Sequence, residues 1–245
     1  MIIFDAILIG IIIGSVLGTI GAGGAILAVP ALIAILNFST IAATTSSLVI
    51  VGAAAISGFI PRIKNGLVDI KLALTFSILG IAGNFLGTYL IDYIPDNVQL
   101  ILFSLLMFLS AIAMWRGPIK EDEEKVKTNF IIVILISSVV GFITGLLGVG
   151  GGFLIVPALV LILKIPVKVA AGTSLLVIAI NATFALLFRY QYWEIIPLTK
   201  VIALTVSAII ASYLSAPLAQ KIDARLFQKI FSIFIVFIAV FVLLR

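Results

Sequence analysis

The chain has 245 residues, of which 63% are hydrophobic and 10% are charged. Soluble domains are about 45–50% apolar and about 25% charged, so this composition excludes a soluble globular protein and indicates an integral membrane protein. The formal net charge is +5, and cysteine and histidine are both absent, which excludes thiol and histidine catalysis and most transition-metal sites; we expect neither a cofactor nor a metal.

Ten apolar segments recur along the chain between turn residues, most of them at roughly the length of a bilayer core. The segments lack the alternation of apolar and polar residues that is typical of strands. They therefore predict an all-α integral membrane protein, a polytopic helix bundle with five segments in each half. Segments two and seven hold about 12 residues, roughly 18 Å of helix, and are too short to cross. The segments are expected at residues 2–20, 25–36, 40–60, 72–91, 97–115, 130–147, 153–163, 168–188, 198–219 and 226–244.

The first half of the chain is repeated in the second half. Residues 14–62 align with residues 141–189 without a gap, and the two stretches share five glycines, a Pro-Ala-Leu triplet and a closing arginine. Apolar sequences match by composition alone, but glycine, proline and arginine at one constant offset do not. We interpret the chain as a tandem duplication, with a first repeat at 1–115, a charged cytoplasmic linker at 116–129 and a second repeat at 130–245.

The distribution of basic residues predicts the topology. If segments one and two, and likewise six and seven, form pairs that enter and leave on one side, one membrane face carries all basic residues except Arg189, Lys200 and Arg245. The positive-inside rule assigns the richer face to the cytoplasm, and fusing segments one and two into a single crossing gives a weaker bias. Each half then makes an odd number of passes, so the repeats are inverted, which is typical of secondary transporters.

Two glycine-rich tips, "GAGG" and "GVGGG", interrupt the apolar sequence at equivalent places. Such backbone persists at membrane depth only when it is buried in protein or lines a wet cavity, and the short helix after each tip offers free N–H groups and a positive dipole end to an anion. We expect the inverted, re-entrant tips to meet near the midplane, beside duplicated hydroxyl clusters. The predicted substrate-binding residues are Gly21, Gly23, Gly24, Thr45, Ser46, Ser47, Gly148, Gly150, Gly151, Thr173, Ser174 and Asn181.

Other glycines and the duplicated arginines have simpler interpretations. Close helix packing is favoured for Gly14, Gly18, Gly80, Gly83 and Gly87, and snorkelling to the membrane surface is favoured for the two arginines that end the aligned stretches. A nucleotide-binding loop is excluded because no lysine follows the glycines and neither tip follows a strand. No acidic residue is central in any segment, which argues against a cation pathway or a proton relay.

The paired motifs "GAGGAILAVPAL" and "GVGGGFLIVPAL", followed by "AATTSSL" and "AAGTSLL", resemble the sulfite exporter TauE/SafE family over nearly the whole chain. The resemblance implies a multi-pass permease of the plasma membrane that moves a small sulfur-containing anion, such as sulfite or an organosulfonate. The first copy departs from the family pattern at Ala25 and at "NFST", so the choice of anion stays open.

Three classes of function follow from these residues. A secondary transporter working by alternating access is the leading hypothesis, and an anion channel of the same architecture is the alternative. An intramembrane enzyme is disfavoured because histidine, cysteine and central carboxylates are missing. The expected partners are a small anionic substrate and the lipid bilayer, without nucleic acid; the oligomeric state is left open, with a homodimer as one option.

Overall fold

A computed structural model of the chain describes residues 2–22, 24–90, 96–116, 130–146 and 152–243, and these residues form helices without a β-strand. Five of the described helices are long and apolar enough to cross a membrane, which confirms the predicted all-α membrane fold at this level. In chain order the helices are α1 (Ile2–Ile20), α2 (Gly24–Ala34), α3 (Thr40–Lys64), α4 (Ile70–Leu90), α5 (Asp96–Arg116), α6 (Phe130–Leu146), α7 (Gly152–Pro157), α8 (Val167–Phe188), α9 (Leu198–Gln220) and α10 (Ala224–Leu243).

Most helices begin and end near the predicted positions, but α3 continues past its expected end at residue 60 to Lys64. Pro61 lies inside this helix without ending it. The stop signal is Gly66, whose left-handed backbone (φ +70°) turns the chain. The amide of Gly66 donates to the carbonyl of Ile63 at 3.1 Å, which is a common way to close a helix.

The short segment after the second glycine-rich tip is only partly α-helical. It consists of α7 and a π-helical turn at Ala158–Ile162. The wider turn closes where the amide of Leu163 donates to the carbonyl of Ala158 at 3.3 Å. Proline has no amide hydrogen and disturbs the helix around it, so the change of helix type directly after Pro157 has a local cause.

The short segments of both halves end in the same unusual turn. Asn37 and Lys164 adopt left-handed backbone, with φ of 55° and 56°, at positions that the repeat alignment superposes. After the first of them, the amide of Phe38 donates to the carbonyl of Leu32 at 3.1 Å, and the equivalent bond in the second half is 3.0 Å long. Residues other than glycine rarely take this backbone, so its recurrence supports a structural duplication.

Helix α1 packs against α9, a helix of the other half, through small residues. A Cβ atom added at Gly14 would fall on the carbonyl oxygen of Ala208, and one added at Gly18 would fall on the hydroxyl of Ser215. The two helices run parallel, because later positions of α1 meet later positions of α9. The expectation that Gly14 and Gly18 serve helix packing is confirmed.

Helix α4 packs in the same manner against α6, again across the two halves. A Cβ atom at Gly83 would fall on the carbonyl oxygen of Ser138, and one at Gly141 would fall on the carbonyl oxygen of Gly80. At Gly80 itself an added Cβ atom would lie 3.7 Å from the nearest atom, the carbonyl oxygen of Ser137. Gly83 therefore brings two backbones into close contact, as predicted, and Gly141, which was not among the predicted packing glycines, brings the backbone of Gly80 equally close.

Helices α3 and α8, which the repeat alignment superposes, pack antiparallel. The guanidinium of Arg189, directly after α8, donates to the hydroxyl of Thr44 in the second turn of α3 at 2.9 Å. Near the end of α3, Arg62 donates to the carbonyl of Lys168 in the first turn of α8 at 3.4 Å. Each helix therefore ends where its copy begins, and we call these two places the Arg189 end and the Arg62 end.

Candidate functional site

The first glycine-rich tip lies against the second half of the chain. Gly21 has left-handed backbone (φ +81°), and a Cβ atom added there would fall on the carbonyl oxygen of Ala171 in α8. The carbonyl of Gly21 accepts a hydrogen bond from the hydroxyl of Ser174 at 2.7 Å. Glycine is required at this position for both reasons, the positive φ and the close approach.

After this tip the chain turns back along α1. An added Cβ atom at Gly24 would lie 2.7 Å from the carbonyl oxygen of Ile13 and 2.7 Å from the Cβ atom of Leu17. Gly24 therefore allows α2 to pack on α1 as a helical hairpin. The remaining predicted tip residues, Gly23, Gly148, Gly150 and Gly151, lie outside the described residues.

The predicted site hydroxyls of α8, those of Thr173 and Ser174, both form hydrogen bonds within the protein. Thr173 is buried and accepts a hydrogen bond from the backbone amide of Asp69 at 3.0 Å. Ser174 bonds to the tip and also lies 2.9 Å from the carbonyl of Ala171. The adjacent Gly172 leaves room for the carbonyl of Leu67 in the α3–α4 loop. These side chains therefore hold the loop and the tip onto α8.

The equivalent cluster of α3 leaves polar atoms without partners. Thr45 and Ser46 are completely buried, and within the described part of the chain neither hydroxyl has a hydrogen-bond partner. Ser47 donates to the carbonyl of Thr44 one turn earlier, at 2.8 Å. A buried hydroxyl without a partner costs free energy, so Thr45 and Ser46 are placed where a ligand could supply the missing bonds.

Asn181 lies near the middle of the contact between α3 and α8. Its neighbour Ala182 is 3.2 Å from the Cβ atom that could be built on Gly52, at the centre of α3. The side-chain oxygen of Asn181 is buried and has no partner among the described residues. Asn181 is thus a third predicted site residue with an unused polar atom.

The structure does not bring the two hydroxyl clusters together. Because α3 and α8 are antiparallel, Thr45 and Ser46 lie near the Arg189 end, whereas Thr173 and Ser174 lie near the Arg62 end. The helix between Ser174 and Arg189 is about 22 Å long at 1.5 Å per residue. One small anion cannot touch both clusters, so each belongs to a different end of the same helix pair.

Arg62 corrects one expectation from the sequence. It is 1% exposed and does not snorkel to a membrane surface. Its Nη2 atom donates to the carbonyls of Gly18 at 2.7 Å and of Thr19 at 2.8 Å, which are two of the last three carbonyls of α1. A helix leaves its final carbonyls without intrahelical donors and has a negative dipole end there, so a buried guanidinium is well placed to satisfy both.

Further contacts close the Arg62 end. The ammonium of Lys168 donates to the carbonyl of Gln220 at the end of α9 at 2.8 Å. The side chain of Asn65 donates to the side chain of Gln220 at 2.5 Å. The sequence did not predict a role for these residues or for Asp69, whose carboxylate accepts from the amide of Leu72 at 2.9 Å at the start of α4. Only Asp69 carried a signal, since aspartate is a preferred residue before a helix.

The Arg189 end is less tightly closed. Arg189 is half-buried and bonds to one side chain, that of Thr44. Lys200, in the first turn of α9, lies 3.4 Å from the carbonyl of Leu36 and 5.3 Å from the centre of the Phe38 ring. This end therefore combines two cations with the unpartnered hydroxyls of α3, a set of groups suited to a small anion.

Comparison with known proteins identifies relatives over most of the chain. The family model described as sulfite exporter TauE/SafE matches residues 6–242. A "Probable membrane transporter protein" of Xylella fastidiosa is 35% identical over 189 residues, which are 75% of this chain and 71% of that protein. "Probable membrane transporter protein YunE" of Bacillus subtilis is 29% identical over 201 residues, 72% of this chain and 74% of that protein. No solved structure matches the chain at a significant level.

Proposed function

This chain belongs to the sulfite exporter TauE/SafE family, a family of multi-pass membrane transporters, and from that premise we propose that it is a secondary carrier for a small oxyanion. Sulfite or an organosulfonate is the proposed substrate, and alternating access is the proposed mechanism. The observation that carries the proposal is the pair of completely buried, unpartnered hydroxyls of Thr45 and Ser46 close to Arg189, a cation without an acidic partner among the described residues.

An inverted duplication is supported by the way the helices pair. The contact of α1 with α9 has its repeat counterpart in the contact of α6 with α4, and both use glycines against a neighbouring backbone. The contact of α3 with α8 pairs a helix with its own copy in antiparallel orientation. A two-fold axis lying in the membrane plane relates two copies in this manner, and transporters with such repeats bind substrate near the membrane midplane.

Alternating access is supported by the difference between the two ends. At the Arg62 end Arg62, Thr173 and Ser174 each bond to another part of the protein, and of these three side chains only the Nε of Arg62 is a buried atom without a partner among the described residues. At the Arg189 end Ser46, the repeat counterpart of Thr173, and the adjacent Thr45 have no partner among the described residues, and Ser47, the counterpart of Ser174, bonds only within its own helix. We propose that in this conformation the Arg62 end is closed and the Arg189 end is receptive, which means that it can bind substrate. The two ends exchange these roles during transport.

The chemistry of the receptive end favours an anion over a cation. Hydroxyl groups, a guanidinium and an ammonium donate hydrogen bonds, and oxyanions accept them. The described acidic residues on this side, Asp5, Asp96 and Glu194, all lie near helix ends. A cation pathway would instead need carboxylates or carbonyls inside the helix bundle.

The test is transport by the purified chain in proteoliposomes. Sulfite, thiosulfate, sulfoacetate, taurine and sulfate would each be offered outside the vesicles, and uptake measured with and without the same anion trapped inside. A carrier shows saturable uptake that is accelerated by the internal anion, whereas a channel gives unitary currents in a planar bilayer. The proposal fails if none of the five compounds is taken up faster than by empty vesicles.

A further inference from the structure

Arg189 occupies the repeat position of Arg62 but has a different environment. Arg62 is buried and donates two hydrogen bonds to carbonyls in the last turn of α1. Arg189 is half-buried and makes one side-chain bond, from Nη1 to the hydroxyl of Thr44. Its other N–H groups have no protein partner in the described ranges. A guanidinium carries five donors, so Arg189 retains most of its binding capacity.

The contact between α3 and α8 aligns Thr45 with Arg189. Arg189 meets Thr44, and eight residues further along α3 Gly52 meets Ala182 of α8. Thr45 precedes Gly52 by seven residues, about two helical turns, so Thr45 and Gly52 lie on the same face of α3, the face toward α8. The buried hydroxyl of Thr45 therefore faces the last turn of α8, directly before Arg189.

Ser46 and Lys200 lie beside this position. Ser46 is three helical turns before Ser57, on the face of α3 that bonds to the carbonyl of Ile209 in α9 at 2.8 Å. Because α3 and α9 run parallel, Ser46 faces the beginning of α9, where Lys200 is located. Thr44 itself already donates to the carbonyl of Thr40 at 2.9 Å, which leaves its oxygen to accept from Arg189.

We propose that Arg189 and Thr45 bind the transported oxyanion directly, with Thr44 as the residue that holds the guanidinium in place. This inference rests on the proposed function and names the residues of its receptive end. Two N–H groups of Arg189 would bind two oxygens of a sulfite or sulfonate group, a geometry that guanidinium matches and ammonium does not. The hydroxyl of Thr45 would donate to the same group and thereby gain the partner it lacks. The nearby ammonium of Lys200 attracts the anion to this end.

The experiment is a titration of the purified, delipidated protein with sulfite. Calorimetry measures the binding, and thermal unfolding measures the stability with and without sulfite. Arg189→Gln should weaken sulfite binding about tenfold or more, and Arg189→Lys should restore only part of it because the planar fork is lost. Thr45→Val should also weaken binding, yet should not lower the unfolding temperature of the ligand-free protein, since the removed hydroxyl had no partner. If Thr45 had only a structural role, Thr45→Val would lower sulfite binding and the unfolding temperature together.

Arg225→Gln is the matched control, because Arg225 is an exposed arginine at the start of α10 and should leave binding unchanged. If Arg189→Gln and Thr45→Val bind sulfite like the wild type, this inference is overturned while the proposed function stands. If Arg189→Gln does not fold, Thr45→Val decides alone. If the wild type neither binds nor transports any of the five compounds, the proposed function fails and this inference with it.

A lipid phosphate could make the same contacts, and a separate arm distinguishes it. Dioleoylphosphatidylglycerol in mixed micelles would replace sulfite as the titrant. If this lipid stabilises the wild type but not Arg189→Gln, and sulfite stabilises neither, the site binds a lipid headgroup and the assignment to substrate is overturned. Stabilisation by sulfite that depends on Arg189 and Thr45 supports it.

Discussion

The hydroxyl of Ser174 donates a hydrogen bond to the carbonyl of Gly21 across 2.7 Å and joins α8 to the glycine-rich tip of the first half. Ser174→Ala removes this donor and leaves a buried carbonyl short of a partner, so we expect a loss of about 1–3 kcal/mol in the free energy of unfolding. Denaturation in mixed detergent micelles measures it. The control is Ser104→Ala, because Ser104 is buried without a partner among the described residues and should not destabilise.

Two glycines of one helix contact should respond differently to alanine. Gly141→Ala places a Cβ atom on the carbonyl oxygen of Gly80 and should destabilise by about 1–3 kcal/mol, the usual effect of overpacking. Gly80→Ala places its Cβ atom 3.7 Å from the nearest atom and should be tolerated. Thermal unfolding of both variants in detergent provides the comparison, and equal stability would contradict the described contact of α4 with α6.

The two duplicated arginines should differ in the same assay. Arg62→Leu leaves the carbonyls of Gly18 and Thr19 without their donor in a buried place, and we expect a loss of about 1–3 kcal/mol or more. Arg189→Leu loses one bond from a half-buried side chain and should be clearly milder in the absence of ligand. A greater loss for Arg189 than for Arg62 would contradict the closed Arg62 end.

The orientation in the membrane can be measured with introduced cysteines, since the chain has none of its own. Asn65 is exposed at the Arg62 end, and Gln191 is exposed beside the Arg189 end. The positive-inside rule predicts that Gln191→Cys reacts with an impermeant thiol reagent in intact bacteria, whereas Asn65→Cys reacts only after permeabilisation. The reverse pattern would refute the predicted topology.

The glycines of the two tips are expected to matter for transport and not only for folding. Gly23→Leu and Gly150→Leu should abolish anion uptake while the protein stays folded, because a side chain at a tip blocks close approach of a ligand to the backbone. Gly14→Leu is the contrasting variant and should reduce the amount of folded protein. Uptake per folded molecule, with folded protein measured by size-exclusion chromatography, separates the two effects. Normal uptake by both tip variants would assign the tips to packing alone.

Much of the fold could be predicted because its signals are local in sequence. The apolar composition determines the membrane environment, and the constant offset between the halves predicts equivalent structure, which appears in the matching turns at Asn37 and Lys164. The packing glycines were recognised by their spacing in single helices, and the neighbours of Gly14 and Gly83 confirm them.

The arrangement of the candidate site could not be predicted, because it depends on which helices meet. The burial of Arg62 is caused by the end of α1, and nothing around residue 62 in the sequence indicates that contact. The separation of Thr45 from Ser174 follows from the antiparallel contact of α3 with α8. Sequence spacing gives the residues of each cluster but not the distance between clusters.

The exchange of partners between the halves has a consequence for biosynthesis. Gly14 of α1 must wait until Ala208 of α9 has been made before it reaches its packing partner. At roughly 5–20 residues per second, the ribosome needs about 10–40 seconds to cover that interval. During this time the small-residue face of α1 is open to lipid or to insertion factors, and the first half cannot complete its own core. Assembly of this transporter is therefore completed only after most of the chain has entered the membrane.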